Sequence, residues 1–117
     1  MLIYITLIIG YKYYYGSYSR TVIKGRRGIR GLVQDHHIIP RQFSNRVNID
    51  LDSPTNLITL PTNYGKLFLN TDRPIHDNGH PKYNKYIGNL LDQNFTEEAI
   101  ISFLRLQLLS GNISKIT

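Results

Sequence analysis

The sequence predicts a small α+β domain in which two short strands precede two helices. Three observations carry this. An apolar run begins at Leu32, continues through Ile38-Ile39 and stops at Pro40. A second run, Leu57-Ile58-Thr59-Leu60, is closed by Pro61. Beyond them the spacing of apolar residues becomes helical, first over Tyr83, Tyr86, Ile87, Leu90 and Leu91, then from Ile100 to Leu109. β-Branched and aliphatic runs ended by proline read as strands, because proline cannot donate to a ladder. An apolar repeat of three to four residues reads as one face of a helix.

A chain of 117 residues is the size of one domain. It can bury roughly two thirds of its unfolded surface, enough for a core without staples. There is no cysteine, which excludes disulfides, cysteine-based zinc knuckles and thiol nucleophiles. The net charge of +6 favours a polyanionic partner, either nucleic acid or an anionic membrane.

Composition divides the chain into residues 1–30 and 31–117. Leu2 to Ile9 is apolar almost throughout. It falls short of the roughly 20 residues that span a bilayer. No basic residue precedes it and no small-residue cleavage site follows, so a buried strand or a leader is expected in preference to a signal peptide or anchor. Tyr11, Tyr13, Tyr14, Tyr15 and Tyr18 come next. They can stack on bases, although packing within the chain is the commoner use. Arg20, Lys24, Arg26, Arg27 and Arg30 then occur with no acid among them, interleaved with Gly25, Gly28 and Gly31. Such a loop is either a solvated linker or a phosphate-contacting element, with guanidinium forks gripping oxygens.

The first strand carries His36-His37 after Asp35. Neighbouring side chains on a strand point to opposite faces. One imidazole can therefore bind a metal while the other reaches a water molecule, although a bare pair is more often one buried and one solvated ring. Arg41 to Thr55 reads as a loop with a short helical turn near Gln42–Arg46, and Ser53-Pro54-Thr55-Asn56 as a turn. A short helix is expected around Lys66–Leu69, and Asp72–Gly79 is loop. His80-Pro81 opens a helix, since proline is tolerated in the first turn. His80 and Asn84 then share one side, and His76 is left in the preceding loop. Thr96 caps the last helix and Glu97 and Glu98 suit its positive end. Ile100, Phe103, Leu104, Leu106, Leu108 and Leu109 are expected to bury one side, and Gly111 to stop it.

A strand pair with a helix terminus against it would bring His36, His80 and Asn84 near one ion, with His37 on the other side. A mixed nitrogen and oxygen site of this kind leaves positions open for water and a phosphate oxygen. Phosphodiester hydrolysis needs such a cation together with a base that activates water.

Three segments, His36-His37-Ile38-Ile39-Pro40, Asn56-Leu57-Ile58-Thr59-Leu60-Pro61 and His80-Pro81-Lys82-Tyr83-Asn84, resemble the HNH (His-Me finger, ββα-metal) nuclease superfamily. The closest likeness is to its AHH group, found among bacterial toxins and phage or viral genomes. The resemblance spans about half of the chain. It implies a ββα-metal core with a C-terminal helix packed against it. His37 would be the general base, with Asn56 pinning the loop and orienting it. His36 and His80 would hold a divalent ion, Asn84 standing where some relatives place a further ligand. Mg²⁺ is the expected ion, with Mn²⁺ and Zn²⁺ as alternatives. Asp35 departs from the small residue usual before the histidine pair; it could instead be the ligand of a shifted register in which His36 is the base. His76 competes for the ion. The implied activity is metal-dependent endonuclease action on DNA, with RNA as the alternative substrate, and a 5′-phosphate product. Arg26, Arg27, Arg30 and Arg41 are the candidate phosphate contacts. An inhibitor protein is an expected partner if the chain is a toxin. A cytoplasmic location is favoured over secretion. The competing readings are a non-catalytic nucleic-acid-binding protein with a structural zinc and a small membrane-associated protein.

Overall fold

The computed structural model describes residues 32–67, 69–76, 79–113 and 115–117. The expectations for Leu2–Ile9, the tyrosine cluster and the basic loop with Arg26, Arg27 and Arg30 lie outside the described residues.

Strand β1 (Val33–His37) pairs antiparallel with β2 (Leu57–Pro61), Val33 opposite Pro61 and His36 opposite Ile58. β1 ends two residues before the apolar run does. The cause is Asn56, whose side-chain oxygen accepts from the Ile39 N–H and whose amide donates to the Ile39 carbonyl. Ile39 thus satisfies its backbone without a strand partner, and Pro40 has no N–H to offer. Pro61 lies inside β2 rather than beyond it, which an edge position allows. Its carbonyl accepts from the His76 N–H at 2.7 Å.

Phe43 is buried from a 3₁₀ turn, Arg41–Arg46. The helix expected around Lys66–Leu69 forms earlier, as α1 (Asn63–Lys66), because the Thr62 hydroxyl caps it by accepting from the Gly65 N–H at 2.9 Å. Gly65 is needed there: a Cβ would fall 1.8 Å from the Leu32 carbonyl oxygen.

Helix α2 (Pro81–Asp92) starts at the proline. Helix α3 (Glu97–Ser110) is capped by the Thr96 hydroxyl and ends on Gly111 in the left-handed conformation. From α2, Tyr83 and Ile87 are buried, whereas Tyr86 is exposed. α3 buries a narrower stripe than expected: Ile100, Leu104 and Leu108 are in the core, while Phe103, Leu106 and Leu109 are exposed. Only residues four apart stay on the contacting side. Each of those three burials contributes about 1.5–3 kcal/mol. Arg105 fastens α3 to the entry of β2 by donating to the carbonyls of Leu57 and Thr55. Among the described residues no helix is long and apolar enough to cross a membrane.

The last described segment, Lys115–Thr117, closes the fold. Ile116 is buried and donates its N–H to the Ile75 carbonyl at 2.9 Å, and Thr117 O accepts from the Lys82 N–H at 3.0 Å. One side of this segment therefore holds the chain next to His76, and the other holds the first turn of α2.

Candidate metal centre and general base

His36 lies on the buried face of β1 and is fully enclosed. Its ring centroid is 4.8 Å from that of His76 and 5.2 Å from that of His80, with the Tyr83 ring at 4.7 Å. Ligand atoms of the three histidines all lie within 4.8 Å of one another. Neither ring nitrogen of His36 has a hydrogen-bond partner among the described residues. A buried imidazole left in that condition costs free energy unless something else occupies its lone pair. Burial, and then the neighbouring His76, His80 and His37, hold the His36 pKa well below the ordinary histidine value, so the ring is neutral and able to ligate.

The other two rings are steered from behind. His76 Nδ1 is 2.8 Å from Gln34 Oε1, and His80 Nδ1 is 2.8 Å from Asn84 Oδ1. Each amide oxygen accepts the Nδ1 hydrogen, which puts the ring's lone pair on Nε2. Metal-binding histidines are oriented in this manner. Asn84 in turn donates to Gln42 Oε1 at 3.2 Å. Tyr83 walls the cluster and donates its hydroxyl to the Ile38 carbonyl at 2.5 Å; burial, then Tyr86, raises its phenol pKa, keeping it a donor.

His37 faces the other way. Its Nε2 is 2.8 Å from Asp52 Oδ1, and Arg41 Nε lies 3.7 Å from the same oxygen. Arg41, Gln42, Ser44, Asp50 and Asp52 line an open polar cleft there. Asn56 braces the base of this side. Besides its bonds to Ile39, its amide donates to the Leu51 carbonyl at 2.9 Å, and its own carbonyl accepts from the Ile38 N–H at 2.8 Å.

The sequence-predicted residues thus fall into two groups. His36 and His80 meet in the cluster, with Asn84 bonded to Nδ1 of His80. His37 and Arg41 meet at Asp52 on the cleft, while Asn56 is buried and bonded to Ile38, Ile39 and Leu51. Asp35 is not in the histidine cluster. His76, expected to stay apart in its loop, is brought in because its backbone is bonded to Pro61 and its neighbour Ile75 to Ile116. Sequence reading also missed Gln34, Tyr83 and Asp52. Gln34 had a signal, since residues two apart on a strand share a face with His36. For Asp52 there was none, because a loop brings it to His37 from fifteen residues away.

A family model described as a nuclease family of the HNH/ENDO VII superfamily with conserved AHH matches residues 19–108. Comparison with curated proteins and with solved structures gave no match.

Proposed function

The chain belongs to the AHH nuclease family, and on that premise we propose that it is a metal-dependent endonuclease hydrolysing phosphodiester bonds in DNA. One observation carries the reading. Adjacent histidines on β1 face opposite ways, His36 into a three-imidazole cluster and His37 toward an open polar cleft.

His36, His76 and His80 are the protein ligands of one divalent ion, and their chemistry fits it: three neutral donors, two of them oriented by amides. Three imidazoles suit a transition ion such as Zn²⁺ better than Mg²⁺, which prefers oxygen. This shifts the choice of ion away from the Mg²⁺ expected with a ligand set of His36, His80 and Asn84. When bound, the ion stabilises negative charge on the phosphate and on the departing oxygen. His37 takes the proton from the attacking water. Arg41 sits beside it, able to grip a phosphate oxygen. Asn56 braces the loops that carry both. Arg26, Arg27 and Arg30 supply further phosphate contacts from the basic loop.

Supercoiled plasmid and RNA, incubated with Zn²⁺, Mn²⁺ or Mg²⁺ and with a chelator control, test the reading. The expected result is nicking that the chelator stops, with DNA cleaved in preference to RNA. Metal and DNA binding without cleavage would instead support the non-catalytic reading.

A further inference from the structure

We propose that Asp52 is a positioning residue for His37, selecting the ring form in which Nδ1 takes the proton from water. The proposal rests on the reading of His37 as general base.

His37 Nε2 lies 2.8 Å from Asp52 Oδ1. An ionised carboxylate only accepts hydrogen bonds, so Nε2 must carry the hydrogen. A neutral imidazole has one hydrogen and one lone pair. The lone pair therefore lies on Nδ1, which names the basic atom. Arg41 Nε, 3.7 Å from the same Oδ1, keeps a positive charge beside the carboxylate.

Asp52 is held in register with His37. Its N–H donates to Asp50 Oδ1 at 3.0 Å. Leu51, its neighbour, is buried and gives its carbonyl to the Asn56 amide. The same Asn56 side chain grips Ile39, two residues after His37. One buried asparagine thus clamps both the base and its partner. In the step itself a water O–H bond breaks, its proton goes to Nδ1, and the electron pair stays on the oxygen that attacks phosphorus. The P–O bond to the leaving oxygen breaks with its pair. The ring becomes imidazolium, and the carboxylate on its far side stabilises that charge. Asp52 is half-exposed, so water screens part of the effect.

Steady-state cleavage and the long-range proton–nitrogen spectrum of the His37 ring decide the matter, with wild type, Asp52→Ala, Asp52→Asn and His37→Ala compared. The wild-type ring should show a hydrogen on Nε2 and none on Nδ1. Asp52→Ala should give a mixture of ring forms and lose about tenfold to a hundredfold in kcat, a fraction of what a whole general base supplies. Asp52→Asn should recover part of this. Metal affinity and Tm should not move. Wild-type kcat in Asp52→Ala alongside an inactive His37→Ala would overturn the Asp52 proposal alone. An active His37→Ala would overturn the base reading and this proposal with it.

Discussion

His36 and His37 are adjacent in sequence and live in different solvents. The His36 side is dry: a fully enclosed ring faces two other imidazoles and a tyrosine. The His37 side is wet, with a carboxylate and a guanidinium at the mouth of an open cleft. Both rings are the same chemical group. Burial keeps the first neutral and its one lone pair unspent, as a ligand requires. Contact with water and a charged partner suits the second to proton transfer. The alternation of a β-strand is enough to turn neighbouring rings to opposite sides.

The largest expected effect falls on the dry side. His76→Ala and His80→Ala should each abolish cleavage at ordinary metal concentrations, and excess metal should restore part of it. Plasmid nicking against metal concentration reads this. A fully active His76→Ala would remove the loop histidine from the dry side. Next comes Asn56→Ala, which undoes the brace shared by both sides. Each buried backbone partner left unmade costs about 1–3 kcal/mol. Denaturant unfolding should show a loss within the range set by the three side-chain bonds to Ile39 and Leu51. A change near zero would mean that water replaces the amide.

Smaller effects sharpen the contrast. Gln34→Ala and Asn84→Ala keep all three ligands but free two of them to turn. Metal affinity should fall by about tenfold to a hundredfold, as for other residues that orient a ligand. Calorimetric metal titration would show it. Neutralising two of Arg26, Arg27 and Arg30 should flatten the salt dependence of DNA binding by about one to two units of log–log slope. An unchanged slope would turn that loop away from nucleic acid. The mildest effect is acid sensitivity of the metal-free protein. The folded His36 pKa lies below the ordinary value of 6.5, so the unfolded chain takes up the proton first. Stability is full above that value and is lost as pH falls toward the depressed one. Thermal melts of wild type and His36→Phe across this window should diverge, the variant showing the flatter profile.

Much of this arrangement was legible in the sequence because it is local. Pro81 marks where α2 starts and Pro61 is the last residue of β2, whereas β1 stops short of Pro40. Thr96 and Gly111 carry the cap and the stop of α3 in their own chemistry. The opposed directions of His36 and His37 follow from strand alternation alone. What was illegible depends on contacts between distant segments. His76 joins the cluster because β2 and the Lys115–Thr117 segment hold its loop from two sides. Asp52 reaches His37 because Asn56 ties down the residue before it. α1 moved forward on a threonine cap that the apolar pattern around it obscured.

The division of labour between the two histidines is tested most directly by calorimetric titration of a divalent ion into His36→Ala and His37→Ala, with nicking assayed on the same samples. His37→Ala should bind the ion with wild-type affinity yet lose about 10² to 10⁴ in cleavage rate. His36→Ala should lose ion affinity and regain cleavage as metal is raised. Ion binding lost in His37→Ala and kept in His36→Ala would contradict that division of labour.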